Sequence, residues 1–525
     1  MIAGGRKKID ITEFGKIVLH NKPVSINSSA LADVKRSYEF LKVFSKGKLI
    51  YGINTGFGPM AQYRIDDADL SQLQYNLVRS HSSGMGKVMS PVHTRALMLA
   101  RLNTMMLGYS GIHPDTVKLV ADLINNEAYP CIYTHGGVGA SGDLVQLAHL
   151  ALGLIGEGEF YFKGKITLAK NVYKALGLKP MDIYIREGLS ILNGTSAMTG
   201  IGGINVIMAK RLVLWSLLLS LMINEMMEAY NDSFSAELNN VKLHSGQSKI
   251  AEWMRTFGAK SKLLRKRDEH LYEREVTENV INDKVQEYYS LRCVPQILGA
   301  VLDTVMNTEE VIVNELNSVN DNPVVDYKNK NIFHGGNFHG DYVSLEMDKL
   351  KLVVTKLSML AERQLNFLLN PHLNQKLPAF TNAGKLGLNF GLQGMQYPAT
   401  STVAENQALS TSLYIHSIPN NNDNQDIVSM GCNAAIICSQ VIENAHEVLA
   451  VELAALMQAI DIRQISGKLS PATKWLYENA RKIFPFFTED FASSQKLREV
   501  KAWLMETDIT EHFHKELNAV SSDTK

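Results

Sequence analysis

The segment from Gly137 to Gly142 reads GVGASG, and its residue types suggest chemistry more directly than any other stretch of this 525-residue chain. Its spacing, G-x-G-x-x-G, is that of a dinucleotide-binding loop, which needs a buried strand before it and βαβ units after it. Upstream stands NNEAYPCIYTHGG, where Pro130 and His135 interrupt a short strand-like run, and no alternation of strands and helices follows. The sequence therefore argues against a bound nucleotide.

Three residues of the same segment permit a different reaction. If a tight turn presses the Gly142 nitrogen against the Ala140 carbonyl carbon, the backbone can cyclise with loss of two waters, one of them from Ser141. The product is a five-membered ring with an exocyclic methylidene, an electrophile that none of the twenty side chains provides. Glycine at position 142 suits this turn because a side chain there would obstruct the attack.

The longer segment GGVGASGDLVQLAHLAL resembles the signature of the histidine, phenylalanine and tyrosine ammonia-lyases, whose cofactor is 4-methylideneimidazole-5-one (MIO). The similarity recurs in order along most of the chain, at IYGINTGFG (50–58), NLVRSHSSG (76–84), LNGTSAM (192–198), VQEYYSLRC (285–293), NSVNDNP (317–323), HGGNFHGD (334–341) and NNNDNQDIVSMG (420–431). These motifs are most similar to those of bacterial tyrosine ammonia-lyases. The resemblance implies elimination of ammonia from an α-amino acid by an MIO formed from Ala140-Ser141-Gly142.

The resemblance also implies roles for residues of these motifs. Tyr51 corresponds to the base that removes the β-proton, and since a free phenol has a pKa of about 10, this role requires that helix N-termini or a cation stabilise its anion. Asn193 corresponds to the asparagine that contacts the MIO carbonyl oxygen, and Tyr289 to a second active-site tyrosine, with Tyr288 adjacent to it. The positions that correspond to substrate-binding residues are Gln286, Arg292 on the carboxylate, Asn322 beside that carboxylate and Phe338 behind the MIO ring.

Two positions bear on the substrate's side chain. Ser80-His81 stands where histidine lyases have Ser-His and many tyrosine lyases have His-Leu, and by itself it favours histidine. Gln425 stands where histidine lyases carry glutamate, and a neutral amide cannot neutralise a protonated imidazole. Together these residues resemble those of a subset of tyrosine lyases in which histidine hydrogen-bonds the phenol. The resemblance favours L-tyrosine, since a buried polar donor discriminates strongly for a hydroxylated substrate. The expected product is p-coumarate; the alternatives are a histidine lyase, a phenylalanine lyase, or an aminomutase that returns ammonia to the β-carbon.

Composition and charge argue against several other classes of function. Lys plus Arg and Asp plus Glu number 53 each, so no net charge attracts nucleic acid or anionic lipid. His334 and His339 lie in HGGNFHGD, but no H-E-x-x-H or Cys/His cluster accompanies them, so no metal site is expected. The four cysteines form no C-x-x-C pair and no apolar run follows the basic N-terminus, which together indicate a reducing cytoplasm.

Helical periodicity dominates the chain. Apolar residues recur at i, i+3, i+4 and i+7 after Asp143 and from Leu350 to Ala361, and similar patterns cover roughly 200–230, 285–318, 402–415 and 425–460. Asp143 is expected to cap the helix that follows it. Strand patterns are short, at 159–167 and 182–186. The charged stretch 260–287 is expected to be a solvated surface segment.

The sequence predicts a mainly α fold, with a smaller mixed region at residues 1–200 that bears the MIO segment and a helical bundle body at residues 201–525. The apolar run Leu212–Asn224 is shorter than the roughly 20 residues of a membrane span and is expected to be a core helix. The resemblance implies a fumarase/aspartase-like architecture and a homotetramer whose active sites draw residues from three subunits. A helical scaffold without catalysis would explain the bundle, but not the ordered polar motifs.

Overall fold

The computed structural model describes residues 2–3, 7–273, 275, 277–281 and 284–519. In this range the chain is mainly α-helical and contains several long helices, which confirms the predicted fold class. The chain divides into two compact units. The first comprises Met1–Ile207, Thr308–Asp348 and Ser412–Ser439, and the second comprises Met208–Asn307, Lys349–Thr411 and Gln440–Lys525.

The α-helices of the described residues are numbered in chain order. They are α1 (Ile11–Val18), α2 (Ser28–Phe44), α3 (Leu70–His81), α4 (Pro91–Met106), α5 (Pro114–Asn125), α6 (Leu144–Leu154), α7 (Ala169–Leu176), α8 (Glu187–Leu192), α9 (Ser196–Met227), α10 (Ala236–Asn240), α11 (Ser245–Phe257), α12 (Tyr289–Arg292), α13 (Val294–Leu316), α14 (Asp341–Leu369), α15 (Pro371–Asn374), α16 (Gln393–Leu409), α17 (Gly431–Arg463), α18 (Pro471–Ala480), α19 (Ser494–Glu506), α20 (Ile509–His512) and α21 (His514–Ala519).

The strands are short and belong to the first unit. They are β1 (Ile2–Ala3), β2 (Val24–Ser25), β3 (Met85–Val88), β4 (Tyr129–Pro130), β5 (Tyr133–His135), β6 (Glu159–Phe162), β7 (Lys165–Leu168), β8 (Val324–Asp326) and β9 (Asn331–Phe333). β1 pairs with β2 in parallel, while β3–β5, β4–β6–β7 and β8–β9 are antiparallel. The predicted strand at 159–167 is the hairpin β6–β7, in which Phe160 faces Thr167.

The two units do not follow the predicted division near residue 200. Thr308–Asp348 and Ser412–Ser439, which were expected in the helical body, belong to the first unit. The reason is that α9, α13, α14 and α17 each have residues in both units. The first unit is therefore built from three segments of the chain, and each segment contributes at least one of the motifs that sequence analysis singled out.

Within the first unit, segments of these four long helices pack together. Asn205 Nδ2 on α9 donates to the Ala435 carbonyl of α17 at 2.8 Å and contacts Met347 Sδ of α14 at 3.5 Å. Thr308 Oγ1 on α13 donates to Glu346 Oε2 of α14 at 3.0 Å. Buried polar groups that find partners in this way fix the register of one helix against the next.

The segment at 182–186, predicted to be a strand, is not one. Glu187, the first residue of α8, folds back so that its Oε2 accepts hydrogen bonds from the backbone N–H groups of Tyr184 and Ile185, each at 2.8 Å. This carboxylate takes the place of a neighbouring strand as the backbone's partner. The alternating pattern that suggested a strand arises because Ile183 is buried while Tyr184 is exposed.

Helix α9 contains the apolar run Leu212–Asn224. Among the described residues it has the length and composition of a membrane-crossing helix, yet 89% of its most apolar window is buried inside the protein. A core helix of a folded protein passes the same test, and the burial agrees with the core helix that the sequence predicts. In the second unit, Trp215 of this helix is fully buried, and its indole N–H donates to the Leu504 carbonyl at 2.9 Å.

The charged stretch 260–287 belongs to the second unit and its described residues are largely exposed, as predicted. Four residues of this stretch lie outside the described residues, namely Arg274, Val276, Asn282 and Asp283.

Helix α14 ends at Leu369, directly before Asn370-Pro371, where the proline ring cannot continue the helical hydrogen bonding.

Candidate active site

The loop 138–143 lies where several helices of the first unit begin. Met430, just before α17, donates its backbone N–H to the Val138 carbonyl at 3.0 Å. Gly340, just before α14, donates to the Gly139 carbonyl at 3.1 Å. α6 starts directly after Asp143. The positive ends of these helix dipoles are therefore gathered around one short loop, an arrangement that stabilises negative charge.

A fourth helix is attached to the loop through Asp143, which caps α9 and not its own helix. Asp143 Oδ2 accepts from the backbone N–H groups of Ala197 at 2.8 Å and Met198 at 2.9 Å, and makes no side-chain bond to α6. The prediction that it caps α6 is therefore wrong, because the start of α9 offers two N–H groups at once. Burial raises the pKa of Asp143 to about 7, although these two N–H groups act in the opposite direction.

The loop makes a tight turn at the predicted cyclising tripeptide. Gly142 has a φ of +73° and forms bridge contacts with Gly139 and Ala140, three and two residues before it. A Cβ at Gly142 would lie 2.1 Å from the Gly194 carbonyl oxygen, which is far inside van der Waals contact. Both the dihedral and the close approach require glycine. The backbone thus has the bend that attack of the Gly142 nitrogen on the Ala140 carbonyl needs.

The surroundings of Ser141 also fit an MIO. Asn193 Nδ2 donates to the Ser141 carbonyl oxygen at 3.1 Å, and this oxygen is the one that becomes the carbonyl of the ring. Gln425 Nε2 donates to Ser141 Oγ, the hydroxyl that must leave, at 3.1 Å. Both donors are neutral amides on buried residues, so each is held in place without bringing a charge.

Ser141 faces a cavity of about 240 Å³ in the first unit. Its size suits a small organic molecule more than a dinucleotide. The cavity brings together residues from six separate motifs, which the sequence alone could group only by resemblance. The residues that line it are Tyr51, Ala140, Ser141, Leu189, Asn193, Asn322, Phe338, His339, Asn424, Gln425, Asp426 and Ile427.

Tyr51 reaches this cavity from a turn between α2 and α3. Its phenol oxygen accepts a hydrogen bond from the Gly58 backbone N–H at 3.2 Å, and its ring meets Phe57 edge-on with centroids 6.3 Å apart. A backbone N–H binds a phenolate more strongly than a phenol, since the bond is then charge-assisted. Gln74 of α3 holds the same turn in place, since its Nε2 donates to the Gly52 carbonyl at 3.2 Å.

Asn322 lies on a loop that two buried arginines hold. Arg186 Nη1 and Nη2 donate to the Pro323 carbonyl at 3.0 Å and to the Asn322 carbonyl at 3.2 Å. Arg101 donates to Asn320 Oδ1 at 3.0 Å and pairs with Asp321. Asn322 Oδ1 itself accepts from the backbone of the neighbouring glycine loop, which leaves its Nδ2 to bind a ligand oxygen.

Ser80 and His81 end α3 and do not line the cavity as the structure describes it. His81 Nδ1 lies 3.0 Å from both the Leu77 carbonyl and Ser80 Oγ. Since a carbonyl only accepts, Nδ1 carries the proton, and burial lowers the pKa of His81 and keeps the ring neutral. Nε2 is therefore the acceptor that this imidazole can offer to a ligand.

Gln286, Tyr289 and Arg292 belong to the second unit and do not line the cavity. The Arg292 guanidinium lies 4.4 Å from the Tyr289 ring centroid, one turn away in α12. Tyr289 is 71% exposed, whereas Tyr288 packs on Phe367 with ring centroids 5.5 Å apart. Of the two neighbouring tyrosines, Tyr289 is therefore the one whose ring lies against Arg292.

Sequence reasoning missed part of the lining. His339 was weighed only as a metal ligand, and Leu189, Asn424, Asp426 and Ile427 were not singled out. The signal for His339 was its place beside Phe338 in HGGNFHGD. Among the described residues, no group of three or more His, Cys, Asp or Glu side chains is placed to hold a metal ion.

Comparisons with known proteins show the family of the chain. The family model described as aromatic amino acid lyase matches residues 9–482. The chain belongs to the aromatic amino acid lyase family. Enzymes of this family depend on MIO, and here its source is Ala140-Ser141-Gly142. When present, it supplies an electrophile that receives the substrate's amino group.

Relatives of two activities cover nearly the whole chain. A tyrosine 2,3-aminomutase of Myxococcus sp. (strain Mx-B0) is 40% identical over 87% of this chain and 88% of its own. A histidine ammonia-lyase of Geobacillus thermodenitrificans is 35% identical over 95% and 96%. The crystal structure of a tyrosine aminomutase from Streptomyces globisporus superposes with a TM-score of 0.92 at 34% identity and covers all of both chains. The family is thus shown, while its members differ in substrate and product.

Replacing Gly142 by alanine is expected to prevent formation of the MIO. The added Cβ would collide with the Gly194 carbonyl, and alanine disfavours the positive φ. Intact-mass spectrometry should show the variant at the mass of the unmodified chain, whereas the wild type should be lighter by two waters. Gly467→Ala is the control, since nothing lies near its Cβ position. Loss of two waters from Gly142→Ala would contradict the cyclisation geometry.

Tyr51→Phe is expected to abolish turnover while substrate still binds. If Tyr51 removes the β-proton, its loss should lower kcat by a factor on the order of 10²–10⁴. Tyr63→Phe, an exposed tyrosine in the neighbouring loop, serves as the matched control. Ammonia release and calorimetric binding of substrate measure the two effects separately. A Tyr51→Phe enzyme with near-normal kcat would rule out this tyrosine as the base.

Proposed function

We propose that the protein is a tyrosine ammonia-lyase that converts L-tyrosine to p-coumarate and ammonia. The observation that carries the proposal is the single cavity in which the cyclising tripeptide, Tyr51 and the neutral Gln425 lie together. The elimination needs a group that makes the amine leave and a base for a weakly acidic β-proton. The MIO meets the first need, and Tyr51 supplies the second.

Each polar residue of the cavity has a defined task in this reaction. The Tyr51 oxygen takes the β-proton, and the hydrogen bond from the Gly58 N–H holds that oxygen in position. Asn193 donates to the Ser141 carbonyl oxygen and so withdraws electrons from the ring when it has formed. Asn322 Nδ2 binds one oxygen of the substrate carboxylate. Phe338 and Leu189 keep water away from the reacting carbon.

The preference for tyrosine rests on Gln425 and His81. Gln425 is buried and offers an amide where a charged imidazole substrate would need a carboxylate; Asp426 also lines the cavity, but it is exposed, so water screens its charge. His81 is neutral with a free acceptor at Nε2, which suits the phenol O–H of tyrosine. Relatives that are tyrosine 2,3-aminomutases support the same substrate.

A tyrosine 2,3-aminomutase is the second candidate. It is favoured by the relatives from Myxococcus and Streptomyces globisporus, which are 40% and 38% identical and carry that activity in their names. Both reactions begin with the same elimination, and they differ in whether ammonia leaves or returns to the β-carbon. A cavity that closes for longer favours the return of ammonia.

Incubation with L-tyrosine, L-phenylalanine and L-histidine side by side tests the proposal. The expected result is p-coumarate and ammonia in equal amounts from tyrosine, with much slower turnover of the other two. β-Tyrosine as the main product would establish the aminomutase instead. Faster formation of urocanate from histidine would overturn the choice of substrate.

We propose further that the active enzyme is a homotetramer whose cavities are completed by neighbouring subunits. Among the described residues, neither Arg nor Lys lines the cavity, so it lacks the cation that a substrate carboxylate requires. Arg292 and the exposed Tyr289 form a pair of the right chemistry on the second unit. A second copy of the chain would bring this pair to the cavity, as the family resemblance implies.

The free cysteines support a reducing cytoplasm as the location of the protein.

Co-expression of two inactive variants checks whether subunits share active sites. Ser141→Ala removes the hydroxyl that becomes the methylidene, and Arg292→Ala removes the proposed carboxylate partner. If one subunit supplies each group, random mixing in equal amounts should restore about a quarter of wild-type activity. Ser141→Ala mixed with Ser141→Ala under another tag is the inactive control. No recovery in purified mixed tetramers would mean that both groups come from one chain.

His81→Phe, with Ser80 retained, is expected to move the preference from tyrosine to phenylalanine. Loss of one buried hydrogen bond worth about 1.4 kcal/mol should lower the tyrosine-to-phenylalanine ratio of kcat/KM by about tenfold. His135→Phe, at an exposed histidine outside the cavity, is the matched control. An unchanged ratio would remove His81 from the ring end of the substrate.

A further inference from the structure

His339 makes a contact that the deamination of an amino acid does not require. Its Nδ1 lies 3.2 Å from the carbonyl oxygen of Ala140. Its Nε2 lies 3.2 Å from Asp341 Oδ1, in the first turn of α14. This carbonyl oxygen is absent from the finished MIO, because the Ala140 carbon becomes a ring carbon and its oxygen is lost as water. A group that binds it therefore acts before the cofactor exists.

His339 stands between a carbonyl oxygen and a carboxylate. A backbone carbonyl oxygen accepts hydrogen bonds and donates none, so Nδ1 carries a proton and directs it at the Ala140 oxygen. Nε2 lies beside Asp341 Oδ1, and a protonated imidazole therefore fits both contacts at once. Asp341 fixes the orientation of the ring and compensates its charge, as the carboxylate partner of a catalytic histidine does.

We propose that His339 is the general acid of MIO formation, with Asp341 as its positioning residue. The Gly142 nitrogen forms a bond to the Ala140 carbonyl carbon, and the π electrons of the C=O bond move to the oxygen, which takes the proton from His339 Nδ1. The Gly142 nitrogen gives up its own proton, which restores the imidazolium. A second transfer from Nδ1 lets the oxygen leave as water while the ring C=N bond forms, and the proton of the Ser141 nitrogen returns to the imidazole.

The proposal accounts for features that the other cavity residues leave unexplained. An amide carbonyl is a poor electrophile and its oxygen a poor leaving group, so both steps gain from a proton donor at that oxygen. Among the described residues that line the cavity and can titrate, His339 is the one in hydrogen-bond contact with it. Removal of the Ser141 hydroxyl is a separate dehydration, and Gln425 rather than His339 contacts that oxygen.

The experiment follows the maturation of newly made protein rather than its activity. Full-length chains are produced by cell-free synthesis, synthesis is stopped, and samples taken from minutes to hours are analysed by intact mass. His339→Asn retains a hydrogen-bond donor near the Nδ1 position but cannot release a proton, and His339→Ala removes the group. Asp341→Asn removes the charge that orients the ring. His334→Asn is the matched control, because His334 lies in the same motif but does not line the cavity.

The wild type and His334→Asn should lose two waters at the same rate. Both His339 variants should lose them on the order of 10²-fold more slowly, and Asp341→Asn should fall between them and the wild type. Circular dichroism and subunit size show which variants have folded; if His339→Ala fails to fold, His339→Asn carries the test. Maturation of folded His339→Asn at the wild-type rate would overturn the proposal. Failure of the wild type to lose two waters would instead overturn the cofactor assignment.

Discussion

The attachment of the loop 138–143 to the beginnings of four helices is the constraint on which the rest of the site depends. Two of its carbonyl groups accept from the residues just before α14 and α17, and Asp143 joins it to α9. These bonds hold both ends of a tight turn in which Gly142 lies against Ala140. The reactive geometry is thus enforced by long-range packing and not by the local sequence alone.

The same arrangement gives the site its electrostatic character. Helix N-termini, backbone N–H groups and the amides of Asn193, Asn322 and Gln425 all present donors, and each is neutral. Such dipoles stabilise an anion strongly because they are already oriented and need not rearrange. They do so without the desolvation cost that a buried cation imposes. A site of this kind favours a reaction that develops negative charge.

Much of the site was predictable because its motifs are local and strongly patterned, as for the tripeptide, Asn193 and the helix that follows Asp143. The failures were all matters of tertiary context. Asp143 has the sequence of a cap for α6, but α9, more than fifty residues away, supplies its partners. The segment before Glu187 alternates like a strand, and one carboxylate overrides the pattern. The function of His339 depends on a carbonyl that no motif connects to it.

The bond between Asp143 and the start of α9 has a consequence for how the protein is produced in the cell. A nascent or misfolded chain has an ordinary serine at position 141, since the bend exists only after segments near residues 198, 340 and 430 have assembled. The electrophile therefore forms only in correctly folded molecules. Chains that have not folded lack this electrophile, so cellular amines and thiols cannot add to it before the site is complete.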